Sequence, residues 1–154
     1  MFRLGFVIFL LGTMFVIAIL GGRPLDYLDP ATMLLILLPL AAVLTATGSF
    51  KVFVAGWRAA HSPKEPISEE LRGQAASLFR FLSKITMLAA SLGMLISLIN
   101  ILYNLDFSQH GSIRWLPINI AASLLGLVYG LFLVAAFFEP VVFILKRRQA
   151  KGRE

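Results

Sequence analysis

The 154-residue sequence has no cysteine and only two histidines. Without cysteine there can be no disulfide, no thiolate metal site and no lipid-modified cysteine anchor. The two histidines, His61 and His110, fall in different connecting segments, so we do not expect them to share a metal ion. The few acids and serines form no set of nucleophile, base and orienting group, and the sequence therefore predicts neither an enzyme nor a bound cofactor.

Charged residues are also scarce. They make up 14% of the chain, whereas a soluble domain has about 25%. Apolar residues make up 58%, and the mean hydropathy is +0.85. This composition predicts an integral membrane protein. Of the 14 Lys and Arg residues, all but Arg23 and Arg114 fall at the N-terminus, around the central loop or in the tail. That asymmetry predicts that both termini and the central loop lie in the cytoplasm. It also indicates that the net charge of +6 does not form a nucleic-acid-binding face.

Long apolar runs predict an all-α membrane protein with four transmembrane helices in a single domain, 1–154. The helices are expected at about 4–21, 30–50, 69–105 and 115–147. Short outer loops, 21–29 and 106–114, and a cytoplasmic loop, 51–68, connect them. The last two runs are longer than a hydrocarbon core of about 30 Å requires, so both helices are expected to extend into the cytoplasm.

Local signals define the expected helix ends. The first run could be a signal peptide, but it is long for one and no A-x-A cleavage site follows, which favours a retained helix. Asp29 and Ser68 are the expected N-caps of the second and third helices. Pro39 predicts a kink in the second helix, Trp115 is expected at the outer interface, and Pro140, a residue type that breaks helices, lies inside the expected fourth helix.

Small and weakly polar residues recur at spacings of three and four in the last two helices, which places each set on one face. The third helix has Thr86, Ala90, Gly93, Ser97, Asn100 and Asn104. The fourth has Asn119, Ser123, Gly126 and Gly130, with Ala122 beside them. Such faces either allow close helix packing or line a pore or the contact with a partner helix. Asparagine side chains are costly to leave facing lipid.

Glu139 is the one acidic residue inside a predicted span. An intramembrane carboxylate is typical of ion-coupled sites. Glu139 also lies only about 10 Å before Lys146 along a helix, near the inner interface. The sequence therefore favours a structural pairing of Glu139 with Lys84 or Arg80 on the third helix.

Two segments, LGMLISLINILYNL (92–105) and INIAASLLGLVYGLFLVAAFFEP (118–140), together resemble the last two helices of the MotA/TolQ/ExbB family. The residues that match its third-helix pattern are Gly93, Leu98, Asn104 and Leu105. Those that match its fourth are Ala121, Leu124 or Leu125, Tyr129, Gly130, Pro140 and the basic end. The four-span layout, with an early Gly-Gly and an Asp-Pro before the second helix, is most similar to the MotA branch.

The resemblance implies a homo-pentamer around a dimer of single-span membrane proteins in a bacterial-type inner membrane, with both termini cytoplasmic. In such a motor the partner's carboxylate carries protons or sodium ions, and ion flow drives rotation of the ring. Beyond the transported ion, no cofactor is implied. The residues expected to face the partner or a pore are Thr86, Gly93, Ser97, Asn100, Asn119, Ser123, Gly126, Tyr129 and Gly130.

The chain departs from the family pattern in three ways. Met94, Gly126 and Leu127 stand where the family has threonines near the ion path, and only Ser97 and Ser123 could supply a nearby hydroxyl. The proline that begins the family's third-helix motif is absent, and the segment between the second and third helices is short, whereas MotA proper has a large cytoplasmic domain there. Two functions stay open: a ring-forming scaffold or channel subunit of an ion-driven complex, and a non-conducting assembly or adaptor protein that keeps the ring.

Overall fold

The computed structural model describes residues 2–19, 29–62, 68–105 and 110–151, and every regular element within them is helical. The elements are α1 (Phe2–Ile19), α2 (Pro30–Ala46), α3 (Phe50–His61), α4 (Glu69–Tyr103), α5 (His110–Leu133), a π-helical segment (Val134–Phe138) and α6 (Glu139–Lys151). The predicted all-α fold class is confirmed for these residues. The predicted loop residues 21–28, 63–67 and 106–109 lie outside the described part of the chain.

Two described helices are long and apolar enough to cross a membrane: α4, and the continuous stretch Trp115–Arg148, which covers most of α5, the π-helical segment and most of α6. Helices α2 and α3 together are also long and apolar enough, but the chain bends by 112° between them. They count as a third membrane-spanning helix only if the bent pair is one broken span. The described residues thus contain two or three such helices where the sequence predicts four. This length and composition indicate a membrane protein.

The second helix ends earlier than predicted, at Ala46 instead of residue 50. The N–H groups of Gly48 and Ser49 donate to the carbonyls of Thr45 and Leu44, each at 3.1 Å, and Gly48 has a φ of 61°. This is the Schellman arrangement, in which a left-handed glycine ends a helix. The chain turns there and forms α3, which corrects the predicted loop over 51–68.

Both predicted N-caps are confirmed. The Asp29 carboxylate accepts hydrogen bonds from the Ala31 N–H, at 3.1 Å, and from the Thr32 hydroxyl. The Ser68 hydroxyl accepts from the Leu71 N–H at 3.3 Å. From that cap α4 runs unbroken for 35 residues, close to the predicted 69–105.

The last helix differs from prediction at its start, and it continues through Pro140 as the expected range 115–147 does. It begins at His110, within the predicted outer loop 106–114, and Pro140 does not break it. The chain instead widens into the π-helical segment, where the Glu139 N–H bonds to the Val134 carbonyl five residues earlier. Proline has no N–H, and its ring crowds the carbonyl four residues before it, here that of Ala136. A π-type turn relieves that crowding without ending the helix.

Helix α4 is the central element, and α2, α3, α5 and α6 all pack on it. The buried core lies at the α3 and α6 end, where Phe79, Leu82, Val141 and Leu145 are almost fully enclosed. The most apolar stretches of the two long helices are mostly uncovered: only 17% and 22% of their residues are buried. Helices that are apolar on all sides yet exposed within their own chain are suited to contact lipid or other chains.

Candidate functional site

A cavity of about 590 Å³ opens between α2, α4 and α5. The predicted site residues that line it are Gly93, Ser97, Asn100, Ser123 and Gly126. Thr32 of α2 contributes a further hydroxyl-bearing side chain. Thr32 was not predicted as a site residue. The only feature of the sequence that could have indicated it is its position three residues after the N-cap Asp29. The structure thus gathers five of the nine predicted positions around one cavity.

Asparagine side chains lie between the end of α4 and the first half of α5, next to this cavity. A second cavity, of about 370 Å³, is bordered by Asn100, Asn104, Trp115 and Asn119. The Asn104 amide donates to the Asn100 side-chain oxygen at 2.9 Å and to its backbone carbonyl at 2.8 Å. All three asparagines are exposed within the single chain.

Other predicted positions lie inside the chain's own packing. Thr86 is fully buried, and Gly126 and Gly130 are buried as well. A Cβ atom at Gly130 would lie 2.6 Å from the Ala90 Cβ, and one at Gly93 would lie 2.6 Å from Cδ2 of Leu35. These positions let α2, α4 and α5 approach one another closely. In this chain, therefore, Thr86 and Gly130 face neighbouring helices of the same chain, whereas Gly126 lies against Thr32 of α2 and also lines the cavity.

The two most deeply buried hydroxyls of the predicted set donate within their own helices. The Thr86 hydroxyl donates to the Leu82 carbonyl at 2.8 Å, and the Ser123 hydroxyl donates to the Ile120 carbonyl at 2.7 Å. Their oxygens keep acceptor capacity, but each proton is already engaged. Ser97, half-buried on the cavity wall, is the more accessible hydroxyl.

Tyr129 joins α5 to the start of α2. Its phenol oxygen accepts a hydrogen bond from the Asp29 N–H at 2.7 Å, and the side chain is half-buried. Asp29 in turn caps α2. The tyrosine that the sequence placed towards a partner or pore thus fixes the relative position of two helices within the chain.

Glu139 has a different partner from the one expected. Its Oε1 accepts a hydrogen bond from the hydroxyl of Ser83, a buried residue of α4, at 3.4 Å. Lys84 and Arg80 are both exposed. Within the described ranges neither forms an ion pair with Glu139.

Arg148, in the basic cluster Lys146–Arg148 of α6, also has a structural role that the charge distribution did not predict. The Arg148 guanidinium donates to the carbonyls of Ala59 and Ser62 at the end of α3. Arg72 of α4 donates to the Arg148 carbonyl at 3.0 Å. These bonds satisfy carbonyls that the end of a helix leaves unpaired, and they tie α3, α4 and α6 together.

In the described part of the chain, no group of three or more His, Asp or Glu side chains could hold a metal ion. No protein-family model, curated protein or solved structure matches this chain. The resemblance to the MotA/TolQ/ExbB family therefore rests on the sequence motifs of the last two helices and on the layout of the chain.

Proposed function

We propose that the chain is a ring-forming scaffold or channel subunit of an ion-motive-force-driven motor or energy-transducing complex. Five copies would surround single-span partner helices whose carboxylate carries the ion. The observation that carries this proposal is the exposure of Asn100, Asn104 and Asn119 in otherwise apolar helices. Amides are unfavourable against hydrocarbon, so another chain or water must cover them in a membrane.

The proposed topology follows from the charges. Lys51, Arg58, Lys146 and Arg147 are exposed at the α3 and α6 end, and this basic charge supports a cytoplasmic location for that end. In this arrangement α1, α2, α4 and the α5–α6 helix are the four spans, and both termini are cytoplasmic. Helix α3 and the cytoplasmic ends of α4 and α6 form a compact base below the hydrocarbon core.

The cavity between α2, α4 and α5 would assist ion transfer without carrying the ion itself. Its described lining has hydroxyl and amide groups but no carboxylate. Such groups can replace part of the hydration shell of an ion, and apolar walls strengthen their interaction with it. A carboxylate of the partner would thus bind and release a proton or sodium ion beside Ser97 and Asn100.

A non-conducting assembly or adaptor protein is the second candidate. The Thr86 and Ser123 hydroxyl protons are held by carbonyls of their own helices. Met94 and Leu127 stand at two of the family's threonine positions. These residues favour a chain that keeps the ring architecture without the ion path.

The oligomeric state tests the proposal first. The full chain, purified in mild detergent with the products of neighbouring genes, should give by native mass spectrometry five times the 17.0 kDa protomer mass, with two copies of a single-span protein. A monomer or dimer would overturn the ring.

Ion flux then separates the two candidates. In vesicles containing the complete complex, Ser97→Leu should abolish ion flux while leaving the subunit stoichiometry intact. Ser91→Leu is the matched control, because Ser91 is also half-buried on α4 but is not among the cavity-lining residues. Unchanged flux in Ser97→Leu would place the ion path elsewhere, and absence of flux in the unsubstituted complex would favour the adaptor.

A further inference from the structure

An apolar groove lies in the angle between α2 and α3, separate from the cavity that Ser97 and Asn100 line. Its volume is about 430 Å³, within the range of small-ligand sites. Leu37, Leu40 and Leu44 line it from α2, and Phe53 and Trp57 line it from α3. The remaining described lining, from α4 and the last helix, is also apolar. The groove therefore suits a hydrocarbon chain.

Helix α3 has the composition of an interfacial helix. It lies at 112° to α2, so it runs close to the membrane plane when α2 follows the membrane normal. The Trp57 ring stacks on Phe137 with the ring centres 5.7 Å apart, and Phe50 is 63% exposed. Aromatic side chains at the end of a span are typical of the level of the lipid headgroups.

The charge of α3 has one sign. Its only ionisable residues are Lys51, Arg58 and His61, and it contains no acid. Lys51 and Arg58 are seven residues apart, which places them on one face, and both are exposed. At 100° per residue Lys51 and Arg58 lie 100–160° around α3 from Phe53 and Trp57, which line the groove. The helix that forms one wall of the apolar groove thus carries two exposed basic residues.

From these observations we infer that the groove binds an anionic phospholipid, with an acyl chain between α2 and α3 and the headgroup beside Lys51 and Arg58. A two-fold dimer through this face is a poorer fit, because it would bring the same basic residues together. The inference requires that α2 lies in a membrane, and it does not depend on the ring or on ion flow.

Quenching of tryptophan fluorescence by brominated lipids tests the inference directly. The full chain carrying Trp115→Phe keeps Trp57 as its only tryptophan and is reconstituted in phosphatidylcholine vesicles. Brominated phosphatidylglycerol and brominated phosphatidylcholine are then compared at equal mole fractions. We expect phosphatidylglycerol to be favoured by roughly 5- to 30-fold in apparent binding constant, as one or two basic residues give at an anionic surface.

Two variants separate the headgroup contact from general charge. Lys51→Gln with Arg58→Gln should remove the preference for phosphatidylglycerol. Arg80→Gln with Lys84→Gln removes the same charge from exposed positions that are each about 160° around α4 from Leu82, a residue that lines the groove, and should preserve the preference. Equal quenching by both lipids in the starting protein, or equal losses in the two double variants, would overturn the inference.

The acyl-chain contact has its own test. Ala41→Phe adds a ring to the α2 wall of the groove and should weaken quenching of Trp57 by either brominated lipid. Unchanged quenching in this variant would exclude entry of the acyl chain. If Trp57 is not quenched by either lipid in the starting protein, a protein surface covers the groove and the inference fails.

Discussion

The phenol oxygen of Tyr129 lies 2.7 Å from the backbone nitrogen of Asp29, one hundred residues earlier in the chain. The bond satisfies an N–H that lies outside α2, while the Asp29 side chain caps that helix. A single tyrosine therefore fixes the entry of α2 against α5. This contact, the close approach at Gly130, the left-handed turn at Gly48 and the Arg148 cap all help to define the geometry of the bundle, and each can be tested.

Tyr129→Phe removes the hydroxyl and leaves the Asp29 N–H without this acceptor. We expect a loss of about 1 kcal/mol in the free energy of unfolding, which lowers the unfolding midpoint by about 2–4 °C for a chain of this size. Circular dichroism in mild detergent measures the midpoint. Tyr103→Phe is the control, because Tyr103 is 87% exposed. Equal midpoints for the two variants would contradict a structural role for the bond.

Gly130→Ala should destabilise the pairing of α4 and α5, because the new Cβ would lie 2.6 Å from the Ala90 Cβ and a helix backbone must move to relieve the contact. We expect a loss of about 1–3 kcal/mol. The same substitution four residues earlier, at Gly126, meets its nearest neighbour at 3.5 Å, an ordinary contact. Gly126→Ala should therefore be neutral or slightly stabilising. Thermal unfolding of the two variants in the same detergent tests this difference, and the reverse order would contradict the packing.

Gly48→Ala should weaken the turn between α2 and α3 through the backbone alone. Gly48 has a φ of 61°, and a Cβ there would meet nothing within 4 Å. The left-handed conformation costs an alanine about 1–2 kcal/mol. Gly12→Ala, in α1, is the control, since a Cβ there also meets nothing and the helical backbone accepts alanine. An unfolding midpoint that falls as much for Gly12→Ala would contradict the backbone explanation.

Arg148→Gln removes the guanidinium that donates to the Ala59 and Ser62 carbonyls. We expect the end of α3 to open more often, with amide hydrogen exchange over the last turn of α3 about tenfold faster. Arg147→Gln changes the same charge at an exposed neighbouring position and should leave this exchange unchanged. Identical exchange in the two variants would show that charge, and not the cap, stabilises α3.

Several structural features were readable from the sequence because they depend on neighbouring residues. Asp29 and Ser68 begin helices because a short polar side chain can reach N–H groups of the first helical turn. The early end of α2 was missed, although Gly48 carried its signal. The expected helix 30–50 passes through Gly48, but in the structure this glycine is left-handed and two hydrogen bonds close the turn that ends the helix at Ala46.

At Pro140 the tertiary packing outweighs a local signal for the end of a helix. Proline removes one donor and crowds one carbonyl, and these local effects predict the end of a helix. In the structure Phe138 and Val141, on either side of Pro140, are both buried in the core. Continuing the helix keeps this packing, and the π-type turn absorbs the misfit.

The helical content, the two N-caps, the membrane-compatible length of the last two helices and the faces shared by small and polar residues are all predictable from the amino-acid sequence. These properties follow from composition and from the 3.6-residue period of the helix. The neighbour that each face meets depends on the tertiary packing. Gly130 meets Ala90 within the chain, while Ser97 and Asn100 border an open cavity. Periodicity fixes the direction of a side chain about its own helix axis, but the helix opposite that face depends on how the whole chain packs.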